Sequence, residues 1–272
     1  LQYVNIDNNV YRVNIDLNLM ILTGNTILIT GGGSGIGRGL AEAFHALGNK
    51  VIIAGRRQNV LDKTTEANPG MASAVLDIED PAAIRAFAAR ITSQYPALNV
   101  LINNAGILKP ENLKSQEKDS GDREAMVTTN LLGPIRLIAA LLAHLQKQPH
   151  AAILNVSSGL GFVPLPFAPT YSATKAALHS YTQALRVQLR DTPVQVVEII
   201  PPYVQTELGG SHQTNDPRAM PLEDFIAETM QILKSQPEAP ENCVERVKFL
   251  RFAEATGTFD KALQMLTEMS FE

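Results

Sequence analysis

From Thr26 onward, short apolar runs alternate with stretches of helical periodicity. The runs cover 26–30, 50–54, 72–76, 98–103, 151–157 and 194–200, and turn residues bound them. Runs this short, rich in Val and Ile, read as buried strands. Helical patterns fill the intervals at about 40–47, 81–94, 124–147 and 171–190. Pro81 suits the first position of its helix, where a missing N–H costs nothing. Such alternation predicts an α/β fold: a doubly wound parallel sheet with helices on both faces. Ligands of such sheets sit beyond the C-terminal strand ends. Gly31 to Gly37, Asp77, Asn104 to Gly106, Ser158 and Pro201 all fall there, which argues for one site.

The loop after the first run is Gly31-Gly-Gly-Ser-Gly-Ile-Gly37. Glycines between a strand and a helix let backbone N–H groups approach a pyrophosphate at the helix N-terminus. The spacing is Gly31, Gly35, Gly37 rather than G-x-G-x-x-G, and a glycine run by itself is a flexible turn. At the head of an α/β pattern it points to nucleotide binding in a Rossmann-like domain. The second run ends in Gly55-Arg56-Arg57. An NAD site usually places an acid here to hold the ribose 2′-hydroxyl. Two guanidinium groups, which bind phosphate bidentately, fit a 2′-phosphate instead and predict NADP(H). The alternative is a pair of arginines at an exposed helix start.

Tyr171 and Lys175 stand four residues apart and share a helix face. A neighbouring ammonium favours the phenolate and brings a Tyr within reach of acid–base work. The pair alone is common on ordinary exposed helices. Ser158, thirteen residues upstream and just past the fifth strand, sharpens the reading, because a strand–loop–helix return brings its hydroxyl beside the phenol. Gly133-Pro134 interrupts the long helical pattern and predicts a bend or break there, just after Asn130. A mid-helix Asn is usually a solvated or core-bonded amide.

Composition narrows the partners. The 272 residues carry a net charge of −4 and are 45% hydrophobic, as expected of a soluble globular chain with no affinity for nucleic acid. A single Cys243 excludes an intrachain disulfide and a cysteine-based metal cluster, and suits a cytoplasmic location. No metal is expected. The longest apolar stretch, 135–145, contains Arg136 and His144 and is too short to span a membrane. No basic segment followed by an apolar run opens the sequence, so no signal peptide is expected.

Residues 1–19 differ from the rest. They are rich in Asn, and Val-Asn-Ile-Asp occurs at 4–7 and again at 13–16. Apolar and polar residues alternate from Tyr11 to Leu19, a strand pattern, and Asp7-Asn8-Asn9 suits a hairpin turn. The segment reads as an N-terminal extension, either native or a vector-derived or upstream-translated leader before a start at Met20. Residues 20–272 show no internal linker and read as a single NADP-binding catalytic domain.

Thr30-Gly-Gly-Gly-Ser-Gly-Ile-Gly37, Asn103-Asn-Ala-Gly106, Asn130, Ser158 and Tyr171-x-x-x-Lys175, in this order and spacing, resemble the short-chain dehydrogenase/reductases of the single-domain branch. The resemblance covers about 22–208, and within the family it is similar to bacterial DltE-like oxidoreductases. It implies that Tyr171 is the general acid or base, and that Lys175 lowers its pKa and holds the nicotinamide ribose. Ser158 would bond the substrate carbonyl, and Asn130 would hold a water in a relay toward Lys175. The implied cofactor contacts are Gly31, Ser34, Gly35, Ile36 and Gly37, then Arg56 and Arg57. Asp77 would accept from the adenine amino group beside Ile78. Asn104, Ala105, Gly106, Tyr171, Lys175, Pro201, Val204 and Thr206 complete the set, Thr206 against the carboxamide. Two features depart from the family. Pro202 replaces the usual Gly after Pro201, and 242–269 reads as helical (about 242–255 and 259–269) where many members place a seventh strand. Six strands are therefore expected.

The expected function is reversible NADPH-dependent reduction of a ketone or aldehyde to an alcohol. Phe162, Val163, Leu165, Phe167, Tyr203, Val204 and Leu208 are expected to border an apolar substrate pocket, and core packing explains them as well. A second reading is oxidation of a small polar hydroxy acid, with Arg218 or another loop cation holding its carboxylate, and a third is a non-catalytic NADP-sensing regulator. In the family the helices at about 124–147 and 171–190 pair across a two-fold axis. Leu137, Ile138, Leu141, Leu142, Leu145, Leu178, Leu185 and Leu189 suit that pairing and predict a homodimer. The second interface of the family's tetramers uses the seventh strand.

Overall fold

The computed structural model describes residues 2–6, 9–13, 19–114 and 121–269. Strands β1 (Gln2–Ile6) and β2 (Asn9–Val13) pair antiparallel, with Ile6 opposite Asn9. Of the predicted hairpin turn, Asp7 and Asn8 lie outside the described residues, as do 14–18 of the alternating segment and 115–120 of the polar loop before the long helix.

The main sheet is built from β3 (Thr26–Thr30), β4 (Lys50–Gly55), β5 (Ala72–Val75), β6 (Leu98–Asn103), β7 (Ala151–Val156), β8 (Val194–Ile200) and β9 (Glu241–Cys243). It is seven-stranded and parallel, in the order β5-β4-β3-β6-β7-β8-β9. Strand order reverses between β3 and β6, which opens a crevice at their C-terminal ends.

Apolar side chains cover both faces. Leu40 and Phe44 of α1 (Gly35–Ala46) and Phe225 of α7 (Leu222–Ser235) pack on one. On the other lie Ile84 and Phe87 of α3 (Pro81–Gln94), Leu137 and Leu141 of the long helix, and Leu185 of α6 (Pro169–Gln188). Each fully buried Phe or Leu contributes roughly 1.5–3 kcal/mol of transfer free energy. A helix α2 (Gln58–Ala67) connects β4 to β5.

Two expectations are corrected. The seventh strand exists. Glu241–Cys243 pairs with β8 through Glu198↔Glu241, Ile199↔Asn242 and Ile200↔Cys243. Its three residues include no β-branched side chain, so nothing local announces it. The helix expected at about 242–255 is replaced by this strand and shorter pieces, while the one expected at 259–269 is present. A turn of 3-10 helix at Glu245–Val247 leads into the short α8 (Lys248–Arg251), and after a gap comes α9 (Phe259–Glu268).

The long helix also differs from expectation, because Pro134 does not break it. Helix α4 (Asp122–Val127) passes through one π-helical turn, Thr128–Leu132, into α5 (Gly133–Leu145), where Pro134 occupies the first turn. The wider turn absorbs the hydrogen bond that proline cannot make. Gly133 is required there: a Cβ would come within 2.7 Å of the Ile78 side chain. By length and composition Asp122–Leu145 is apolar enough to cross a membrane. Here Leu137, Ile138, Leu141 and Leu145 are buried in the core of the chain itself.

Candidate active site

The glycine loop is shaped by close approach. Gly31 has a left-handed φ of 66°, and a Cβ there would lie 2.9 Å from Asn104 Nδ2. Gly37 is tighter still, with a Cβ position 2.3 Å from Asn104 Nδ2 and 2.4 Å from the Gly31 carbonyl. Thr30 ties this loop to the next strand end: its Oγ1 accepts from the backbone N–H groups of Asn104 (3.0 Å) and Ala105 (3.1 Å). Asn104 Nδ2 returns a bond to the Thr30 carbonyl at 3.0 Å. Ser34 caps α1 in an extended conformation. Gly35 faces Thr206 across the crevice, where a methyl group on Gly35 would lie 3.3 Å from Thr206 Cγ2.

Around these loops lies a cleft of about 1590 Å³. Small-molecule sites run roughly 300–1,000 Å³, so the cleft has room for a dinucleotide and a second molecule. Gly31, Ser34, Gly35, Ile36, Arg56 and Arg57 line one end. Ile78, Asn104, Ala105, Gly106, Ser158, Tyr171, Lys175, Pro201, Val204 and Thr206 line the rest, with Thr206 reaching back to Gly35. Asp77 is exposed at the rim, where its Oδ1 accepts from the Glu79 backbone N–H at 3.0 Å. Gly37 sits beneath, against Asn104.

Arg56 has a partner that local sequence does not reveal. Its guanidinium meets Glu79 Oε1 at 2.8 Å, and Thr129 Oγ1 donates to the same oxygen at 2.9 Å. The Arg56 side chain is 53% exposed. Such an exposed pair is worth at most about 1 kcal/mol, so Arg56 can be recruited by a phosphate. Arg57 caps α2.

Tyr171 and Lys175 lie on α6 and are both 4% exposed. Lys175 Nζ donates to the Val156 carbonyl at 2.9 Å and lies 5.6 Å from the Tyr171 ring centre. Ser158, at the end of β7, hydrogen-bonds the phenol, and its Oγ accepts from the Leu160 N–H at 3.1 Å. Burial pushes the Tyr171 pKa up to about 12, only partly offset by Ser158. Burial also pulls Lys175 down to about 8, opposed by the charge of Glu198. The phenol is thus held as a neutral acid rather than drawn toward phenolate. Asn130 sits in the π-helical turn. Its Oδ1 accepts from Ile107 N–H at 2.8 Å, and its Nδ2 donates to Ile107 O at 2.9 Å and to Thr174 Oγ1 at 3.2 Å. It is therefore a buried bonded amide beside Gly106, where a Cβ would lie 3.3 Å from Asn130 Oδ1 and 3.8 Å from Lys175 Nζ.

Leu165, Phe167, Tyr203, Val204 and Leu208 line the cleft as expected. Phe162 instead stacks on the Arg251 guanidinium (4.5 Å) and against the His179 ring (4.6 Å), and Val163 is buried behind the wall. Ile107, Leu108 and Leu160 add to the apolar wall, and the C-terminal segment contributes Leu250, Met265, Leu266 and Met269. Its only sequence signal is the amphipathic stripe of 259–269. Arg218 also borders the cleft, but its fork holds Asp216 through bonds of 2.7–3.1 Å. Tyr203 OH donates to the same carboxylate at 3.1 Å.

Residues 25–217 match the family model described as short chain dehydrogenase. Over 91% of this chain and 98% of its own length, an uncharacterized oxidoreductase DltE of Bacillus subtilis is 40% identical. Among solved structures, a short chain dehydrogenase of Burkholderia cenocepacia in complex with NADP superposes with a TM-score of 0.75. It is 24% identical and covers 92% of this chain and 100% of its own. A 3-ketoacyl-(acyl-carrier-protein) reductase of Brucella melitensis complexed with NADH gives 0.70 at 29% identity, covering 79% and 93%. With the glycine crevice, the Ser158–Tyr171–Lys175 group and a family model matched from the first main strand to the cleft wall, the chain belongs to the short-chain dehydrogenase family of oxidoreductases.

Proposed function

We propose that the protein reduces an apolar ketone or aldehyde to an alcohol with NADPH, reversibly. The observation that carries this reading is a buried, neutral Tyr171 phenol, bonded to Ser158, at the foot of a largely apolar wall. Bound NADPH would supply the hydride. The cradle fits a dinucleotide, because the glycine loop, Arg56, Asn104 to Gly106 and Thr206 all line one continuous cleft of about 1590 Å³. Arg56 and Arg57 favour the 2′-phosphorylated form, since the exposed Glu79 contact is weak competition for a dianion.

In reduction, Ser158 donates to the substrate carbonyl and orients it. Tyr171 gives its proton to the oxygen as negative charge develops there. The Lys175 ammonium, close to the ring, stabilises the phenolate left behind. Asn130 fixes the backbone at Ile107 and the Thr174 hydroxyl, which keeps the walls around Lys175 in place. Oxidation runs the same proton transfer backwards. A hydroxy-acid substrate is disfavoured, because Arg218 already holds Asp216. A panel of apolar and carboxylated carbonyls with NADPH and NADH tests the reading. Turnover is expected for apolar carbonyls with NADPH. No turnover with any member would favour a non-catalytic NADP sensor.

The proposed setting is cytoplasmic and the proposed assembly a homodimer through the long helix of α4 and α5 and through α6. Exposed Val127 and Val187 on those helices support it. The leucines expected on that surface do not, since all but Leu142 are buried within the chain. With β9 present, a missing seventh strand no longer argues against a second interface.

A further inference from the structure

Helix α6 lays a polar stripe on the sheet. Lys175, His179, Thr182 and Arg186 follow one another at helical spacing on one face. Beneath them runs a polar row across four strands: Asn103, Asn155, Glu198 and Glu241 are register partners from β6 to β9. One row earlier on the same face, Leu101, Ile153 and Val196 are apolar core. The row is bonded in part. Asn103 Nδ2 donates to Asn155 Oδ1 at 2.9 Å, and Asn155 Nδ2 to Thr182 Oγ1 at 2.9 Å.

Glu198 is the anomaly. It is 0% exposed in the middle of a sheet. Its Oε2 meets His179 Nδ1 at 2.7 Å, and its Oε1 has no hydrogen-bond partner among the described residues. A buried carboxylate with an orphaned oxygen is costly, and an apolar residue would continue the core without that cost. Ligand atoms of His179, Glu198 and Glu241 lie within 4.8 Å of one another, as in a metal site. Arg251, however, holds both Glu241 oxygens at 2.7 and 2.8 Å. Arg186 stands beside them, donating to Val196 O and Pro240 O. A dication would meet two guanidinium groups, so the cluster is a charge network.

The network abuts the catalytic group, since Lys175 is one turn from His179 on the same face. We propose that Glu198, clamped by His179, is a positioning residue of the active site whose fixed negative charge keeps the Lys175 ammonium protonated beside Tyr171. The other titratable groups facing this pair come from three elements. Tyr171, His179 and Arg186 come from α6, Glu241 and Cys243 from β9, and Arg251 from α8; β7 contributes only the uncharged Asn155. Burial and the neighbouring carboxylates push the Cys243 thiol up to about 12, so it stays neutral. Burial favours deprotonation of Lys175, and Glu198, itself fully buried, opposes it. This role rests on the reading of Lys175 as part of the catalytic group.

The sign is definite. Removing the Glu198 charge removes what raises Lys175, so its titration must move to lower pH. The test is an NMR titration of cofactor-free protein carrying carbon-13-labelled lysine, with the Lys175 signal identified by its loss in Lys175→Met. The wild-type midpoint is expected near 8. In Glu198→Gln it should fall by about one pH unit or more, the size of a nearby opposite charge. The alkaline limb of kcat/KM should fall in parallel, and Glu198→Asp should restore most of both. Should Glu198→Gln fail to fold, the double variant Glu198→Met/His179→Leu removes the pair without leaving an orphan, an exchange that buried ion pairs often tolerate. It should show the same fall. A midpoint unchanged in whichever variant folds overturns the proposal. A fall in a protein that reduces no carbonyl supports the counter-charge and overturns only the functional reading.

Discussion

Replacing Tyr171 with Phe removes one oxygen from a side chain that is 4% exposed. The ring stays, so the packing against Met126, Leu165 and Leu250 in the same cluster is kept. The bond with Ser158 is lost, worth about 0.5–1.5 kcal/mol. Ser158 Oγ still accepts from the Leu160 N–H, so no polar atom is stranded, and stability should change by no more than that. Activity should change far more. With its pKa near 12, the phenol is fully protonated at neutral pH, and the wild-type enzyme always holds its acid ready. Losing a positioned general acid costs about 10²–10⁴-fold. At 1.36 kcal/mol per decade, that is about 3–5 kcal/mol of barrier. The assay is kcat for the best carbonyl of the panel, followed by NADPH absorbance, alongside thermal unfolding and the Kd for NADPH. A large fall in kcat with Tm and Kd nearly unchanged is expected. A loss of less than tenfold would refute the assignment of Tyr171 as the acid.

Arg56→Asp should weaken NADPH much more than NADH, because it removes a phosphate partner and sets a second carboxylate beside Glu79; equal weakening in two titrations would show that Arg56 does not read the 2′-phosphate. Gly37→Ala forces a methyl to within 2.4 Å of a backbone oxygen and should cost about 1–3 kcal/mol with a clear loss of NADPH affinity; an unchanged Tm would mean the loop is looser than its contacts imply. A chain beginning at Met20 loses the Leu19 carbonyl that meets His150 Nδ1 at 3.0 Å but none of the described cleft-lining residues, and kcat should be retained. Light scattering of that chain should give a dimer, and a tetramer would refute the proposed assembly.

The six longer strands and the motifs at their ends were legible because each is a local pattern: an apolar run, a glycine loop, a Tyr–Lys spacing. What escaped was held by distant partners. The strand β9 exists because Glu198 N–H bonds the Pro240 carbonyl at 3.0 Å and β8 offers an open edge, not because Glu-Asn-Cys favours extension. Glu79 follows Arg56 by 23 residues, and Asp77, the expected adenine contact, spends an oxygen on its own turn. The acid near the arginines was therefore invisible until β4 and β5 lay side by side. Phe162 looked like pocket lining because its neighbours are, but Arg251, brought over by the C-terminal turn, draws it away. Asn130 was rescued only by resemblance, since neither its π-helical turn nor its bonds to Ile107 and Thr174 leave a local signature.

That π-helical turn also sets an angular phase. The helix before it and the helix after it differ from a continuous α-helix by one residue's worth of rotation. Deleting a single residue from 128–132 would let the segment close as ordinary α-helix and swing everything upstream by about 100°. Met126, fully buried in the cluster that holds Tyr171, would turn away from it, and exposed Val127 would be carried round the axis with it. A one-residue deletion here, unlike one in a surface loop, rearranges the roof over the Tyr171 phenol while leaving Ser158, Tyr171 and Lys175 in the sequence.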